Sequence, residues 1–145
     1  MKLSSKGRYA LAAAVCLAES YASGEYIAVL SISERLGISK IYLEQVFSLL
    51  KRSGLVMALK GAQGGYLLSK SPSEITAYDL LAAVEGSLFE GTAATVKETA
   101  PTIERALFKV VFTPLDSIVE QTLQNITLDT LLTESQSDDA LMFYI

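Results

Sequence analysis

At 145 residues, half of them hydrophobic, with a formal net charge of −4, the chain can form one domain with a real core and carry one appended arm. A single cysteine, Cys16, and no histidine rule out an intramolecular disulfide and catalysis by Ser-His-Asp or Cys-His sets, and leave almost no route to a cysteine/histidine metal site. No run of about 18 apolar residues marks a membrane span, and Met1–Lys6 leads into amphipathic sequence without a signal-peptide cleavage site. The expected address is therefore cytoplasmic and the expected class a non-enzyme without cofactor or metal.

The charge is divided along the chain. Residues 1–70 hold nine Lys/Arg against four Asp/Glu, or +5, and residues 71–145 hold three against twelve, or −9. Such a split suits a basic front that meets a polyanion and an acidic rear.

A first helix is expected from about Ser5 to Tyr21, broken by Ser23-Gly24. Lys2, Lys6 and Arg8 at its start bring cations and free backbone amides together, an end that welcomes phosphate. Tyr26–Leu30 reads as a short strand or extended entry. Ser31 and Glu34 match a capping box for a brief second helix that Gly37 stops. Ser39 can cap a third helix, in which Leu43, Val46, Phe47 and Leu50 form a core-facing stripe at helical spacing. Its other face carries Lys40, Ile41, Glu44, Gln45, Ser48 and Arg52, a mix of donors, acceptors and apolar contact suited to base edges. Helix, tight turn, helix is the arrangement of a DNA-binding helix-turn-helix.

A hairpin follows directly. Strands Leu55–Lys60 and Tyr66–Ser69 flank a glycine-rich tip in which Gly61, Gly64 and Gly65 leave little bulk, so the tip, bearing Lys60 and Gln63, can approach another backbone closely. Thr76 and Asp79 then cap a helix with Ala77, Leu80, Leu81 and Val84 inward and Gly86 as its stop. Residues 87–100 read as a loop. From Pro101 a helical pattern returns, with Ile103, Leu107, Val110 and Val111 on one side. Thr113-Pro114 either begins a fresh helix or kinks one long one. Leu115, Ile118, Val119 and Leu123 form the next apolar stripe, which more readily meets a second subunit than a private core. A homodimer would suit a twofold, pseudo-palindromic site on double-stranded DNA. Residues 133–139 read as a polar, acidic linker before Ala140–Ile145, whose apolar side chains either fold back on the protein or enter a partner's pocket. The expected layout is a DNA-binding domain at 1–86, a linker with dimerisation helices at 87–132, and a tail at 133–145.

With these residues laid out, the chain resembles the Rrf-type family of bacterial winged-helix transcriptional regulators. The matching pieces are Met1–Ala10, Tyr42–Gln45, Gly54–Val56, Gly61–Tyr66, Glu85-Gly86 and Ile126–Leu128. The resemblance implies a mainly α fold with a small β-wing. It makes Ile41, Glu44 and Gln45 part of a base-reading surface, and Lys2, Lys6, Arg8 and Tyr9 backbone anchors. Lys60 stands where many members have a wing arginine; lysine keeps the charge and loses the planar fork. Many members hold an iron–sulfur cluster by three cysteines after the fourth helix, where this chain has Glu90–Ala100 and none. The cluster-free branch it resembles is that of the cysteine-metabolism repressors. There, Met142, Phe143, Tyr144 and Ile145 would dock into cysteine synthase (O-acetylserine thiol-lyase), and O-acetylserine would displace them. The other regulatory reading is a redox response through Cys16, a thiol more suited by its apolar neighbours to burial.

Overall fold

Alanine- and leucine-rich sequence forms α1, Ser5–Glu19, in the computed structural model, which describes residues 2–142 with side chains through residue 137. Ser4 caps it, its hydroxyl accepting from the Gly7 amide at 3.1 Å. Ala10, Ala13, Ala14 and Ala18 are buried, and their small size lets neighbouring helices pack closely around α1. A 3₁₀ turn, Tyr21–Ser23, leads out of it.

Helices α2, Val29–Leu36, and α3, Lys40–Arg52, make the helix-turn-helix. Gly37 takes the left-handed conformation (φ 67°) that ends α2, and the Ser33 hydroxyl donates to the Ile38 carbonyl at 2.6 Å across the turn. Ser39 caps α3 as expected, accepting from the Tyr42 amide at 3.1 Å. Leu43, Val46, Phe47 and Leu50 are all buried completely.

The entry to α2 differs from the reading of the sequence. Ser31 and Glu34 lie inside the helix, which starts after Ala28 with no side-chain cap. The strand expected over Tyr26–Leu30 is a single bridge, in which Ile27 and Tyr66 exchange two backbone hydrogen bonds of 2.9 Å. That bridge sets where the chain turns into α2, and burial of Val29 and Ile32 sets which face points inward. Tertiary contact outweighs the local cap signal.

The wing pairs β1, Val56–Leu59, with β2, Gly65–Leu68, antiparallel, Val56 opposite Leu68 and Leu59 opposite Gly65. A Cβ at Gly65 would collide with the Ile27 carbonyl, and one at Gly64 with the Leu59 carbonyl, so both positions demand glycine. Tyr66 stacks on Phe47, ring centroids 4.5 Å apart, and fixes the wing to α3.

Thr76 and Asp79 form a reciprocal capping box at the start of α4, Ala77–Val84, each bond 3.0 Å. Gly86 does not sit as a left-handed stop; Glu85 ends the helix and Gly86 begins a 3₁₀ turn, Gly86–Phe89. The rest of the expected loop runs irregularly to α5, Pro101–Leu107.

Between the two alternatives at Pro114, the continuous helix is the one observed. A π-helical stretch, Phe108–Phe112, joins α5 to α6, Thr113–Gln124, with Phe112 and Thr113 both helical. The wider π turn ends just before Pro114, where a proline ring would clash with the carbonyl four residues back and lacks an N–H.

After α6 the chain returns to the first domain. The Ala77 amide donates to the Ile126 carbonyl and the Leu128 amide to the Ile75 carbonyl, both at 2.8 Å. The Thr127 hydroxyl accepts from the Thr130 amide and opens α7, Leu128–Met142. Leu128 is completely buried and Leu131 and Leu132 pack on the same core, so the core of the winged helix extends beyond residue 86. Residues 133–139, expected as a linker, continue α7. Glu, Gln and Ser there tolerate a helix already started by a threonine cap and an anchored leucine. Phe143, Tyr144 and Ile145, three of the four expected docking residues, lie outside the described residues, as does the side chain of the fourth, Met142.

The observed architecture is a mainly α winged helix-turn-helix with a two-stranded wing, followed by a long helical arm.

Candidate nucleic-acid interface

The start of α1 is set against the outer face of α3 by two devices. Tyr9 meets Tyr42 edge to face, ring centroids 5.2 Å apart. The Glu85 carboxylate accepts from the Ser4 amide at 2.6 Å, and its side chain lies so close over Gly7 that a Cβ there would sit 2.8 Å from Glu85 Cδ. Glu85 thereby holds the end of the helix that carries Lys2, Lys6 and Arg8. The Glu85-Gly86 pair was legible as a motif, but its positioning role was not, because the partner lies 81 residues away in sequence.

As a result, Lys6 from α1 and Ile41, Glu44, Gln45 and Ser48 from α3, with Leu49, line one shallow depression. Five of the sequence-selected residues converge there. Lys2, ahead of α1, and Arg8, in its first turn, are exposed, Arg8 donating to the Ser5 hydroxyl at 3.1 Å. Lys40 and Glu44 sit one helical turn apart with Nζ and Oε1 separated by 3.8 Å. Both are more than half exposed, so the pair adds little stability but reduces the negative field of Glu44 on that face. Arg52 is exposed at the end of α3.

The wing residues lie elsewhere. Lys60, Gly61 and Gln63 are exposed at the tip, and Gln63 and Gly64 line a separate recess between the wing and the start of α2. The α3 depression, with Lys6 on its rim, and the wing tip, with Lys60, are therefore two separate features on one unit.

On the arm, the four residues of the expected dimer stripe divide. Leu115 and Ile118 are 54% and 61% exposed, while Val119 and Leu123 are half-buried. The exposed apolar face runs further back than that stripe, through Ile103, Val110 and Val111. Leu115 and Val119 also line a recess with Leu88 and Phe89.

Cys16 is buried in α1, and burial pushes its thiol above the ordinary range, with the Arg35 charge pulling weakly the other way. Arg35 pairs with both Glu19 carboxylate oxygens, at 2.6 and 2.8 Å.

Segment 90–100 is closed by carboxylates. Asp116 accepts from the Thr92 amide at 3.2 Å and from its hydroxyl. Glu104, 6% exposed, accepts from the Thr95 and Val96 amides at 2.8 Å each.

Comparison with known proteins places these features. The family model Rrf2, described as an iron-dependent transcriptional regulator, matches residues 3–134. The HTH-type transcriptional regulator IscR of Pectobacterium carotovorum subsp. carotovorum (strain PC1) is 39% identical over 136 residues, 94% of this chain and 82% of its own. The solved structure of CymR (YrzC), the global cysteine regulator of B. subtilis, aligns with TM-score 0.75 at 30% identity, covering 92% of this chain and 98% of that one. The structure of T. potens IscR aligns with TM-score 0.72 at 32% identity, covering 93% and 88%.

An iron centre held by thiolates does not fit this chain. Its one cysteine is buried in α1, and the carboxylates beside segment 90–100 are engaged by backbone amides. Among the described residues, no three His, Cys, Asp or Glu side chains converge to hold a metal ion.

Proposed function

The chain belongs to the Rrf2 family of transcriptional regulators, and on that premise we propose that it is a homodimeric repressor that reads a pseudo-palindromic site on double-stranded DNA. In this reading α3 enters the major groove, Lys2, Lys6, Arg8 and Tyr9 hold the phosphate backbone, and the wing carries Lys60 toward the neighbouring minor groove. The exposed face of α5 and α6, including Leu115 and Ile118, meets a second copy and sets the spacing of two α3 helices. The observation that carries this reading is the single depression shared by Lys6, Ile41, Glu44, Gln45 and Ser48. It joins a phosphate-binding cation to a face of mixed base-reading chemistry.

Measurement of DNA affinity against salt tests it. The logarithm of affinity should fall steeply and linearly with that of salt, and Lys6→Ala should lower the slope by about 1. Affinity that ignores salt would refute phosphate contact.

The signal that the regulator answers is a separate question, and an Rrf2-type regulator has broader support than any one signal. Relatives named IscR give no support to a cysteine synthase partner. That reading rests on the sequence Met142-Phe143-Tyr144-Ile145 and on the 30% identity to the global cysteine regulator of B. subtilis. Calorimetric titration into cysteine synthase, with and without O-acetylserine and with Ile145 deleted, tests it; binding that survives the deletion refutes tail docking. A redox signal through Cys16 has the buried, protonated thiol against it.

A further inference from the structure

Ile41 is 71% exposed, matched among the large apolar side chains of the described residues only by Val110. Val110 lies on the apolar face of the arm, which the proposed second copy would cover. Ile41 stands off that face, on the outer side of α3. It is the second residue of α3, on the face opposite the buried Leu43, Val46, Phe47 and Leu50, and its neighbours in the depression are Lys6, Glu44, Gln45 and Ser48, with the half-buried Leu49. It thus offers an exposed methyl-bearing side chain, beside polar groups, on the face of α3 that the proposed duplex meets. β-branching leaves it few rotamers in a helix, so it presents its methyl groups in a fixed direction.

We propose that Ile41 is a specificity residue that selects thymine, by packing on the 5-methyl group of that base in the major groove. Among the unmodified bases, thymine alone presents an apolar group there, and the remaining edges present donors and acceptors that isoleucine cannot satisfy. Gln45, one turn further along α3, supplies the donor and acceptor for a neighbouring adenine, so the pair reads an A·T-containing step rather than a single base. The Lys40–Glu44 ion pair, 3.8 Å across, flanks Ile41 and keeps the Glu44 carboxylate from opposing the approach of the duplex. The proposal rests on the DNA-reading role of α3.

The test begins with a duplex selected from a random, unmodified pool by the full-length protein. Each thymine of that duplex is then replaced singly by deoxyuridine, which removes the methyl and nothing else, and affinities are measured for wild type, Ile41→Val and Ile41→Ala. At one position in each half-site, deoxyuridine should weaken wild type by roughly fourfold, the effect of taking one methyl group out of contact. The same replacement should leave Ile41→Ala unchanged, and Ile41→Val should keep part of the effect. A flat deoxyuridine scan on a tightly bound operator overturns the proposal, as does a drop of equal size in Ile41→Ala. If no duplex is enriched at all, the DNA-reading role of α3 falls as well, an outcome distinct from a flat scan on a bound site. Exposure of Ile41 makes both variants expected to fold, and equal melting temperatures check it.

Discussion

The winged helix and the arm that follows it are built on opposite principles. From α1 to α4, the buried positions are apolar: Leu17, Ile32, Phe47, Leu50, Leu68 and Leu80 close on one another with almost no access to water. Along α5 and α6, the buried residue among those described is Glu104, a carboxylate bonded to two backbone amides, and Ile103, Val110, Leu115 and Ile118 stand in solvent. The first region is stabilised by its own hydrophobic burial. The second is shaped by hydrogen bonds and helix continuity, and its apolar side chains stay exposed.

The comparison breaks most severely in the winged helix. Phe47→Ala should destabilise the protein by about 3–5 kcal/mol, since it empties a fully enclosed site and removes the ring on which Tyr66 stacks. Chemical denaturation measures it, and a loss below about 1 kcal/mol would contradict the enclosed core. On the arm, Ile118→Glu should leave the monomer folded and weaken self-association by about tenfold or more, because a charge would enter the face proposed to meet a partner copy. Sedimentation velocity reads that change, and an unaltered dimer would locate the interface elsewhere.

A smaller effect separates the polar ordering of the arm from its apolar face. Glu104→Ala should cost about 1–3 kcal/mol of local stability by orphaning the Thr95 and Val96 amides. Faster hydrogen exchange at those two amides, with an unchanged dimer, is the expected result. The mildest prediction concerns Cys16. Its raised pKa favours the neutral thiol in the fold, so that contribution is complete below the ordinary thiol pKa and is lost as pH rises through the folded value. Alkylation should be slower than for an unfolded control and shifted to higher pH; equal rates would show an accessible thiolate.

Much of the first region was legible because its signals are local. The stripe Leu43, Val46, Phe47 and Leu50, the caps at Ser39 and Thr76, the turn at Gly37 and the wing between Val56 and Leu68 each follow from spacing and residue type over a few positions. The same local reasoning selected Lys6, Ile41, Glu44, Gln45 and Ser48, and the fold brings them together. Local reasoning failed where a distant contact decided the outcome. Ser31 and Glu34 match a capping box, yet α2 starts earlier because Ile27 pairs with Tyr66. Residues 133–139 match a linker in composition, yet Thr127 and Leu128 launch a helix through them.

By itself, then, the amino-acid sequence determined the helix-turn-helix, the wing and the chemistry of the α3 face, since helical periodicity, caps and glycine turns act within a few residues. Only the tertiary structure decided that Glu85 clamps the start of α1 over Gly7, that α7 returns to the first core through Leu128, and that α5 and α6 run on through Pro114. The first two depend on which distant segments meet, and pairings such as Ser4 with Glu85 or Ile75 with Leu128 leave no period to read along the chain. The third depends on a local π turn that no residue type announces.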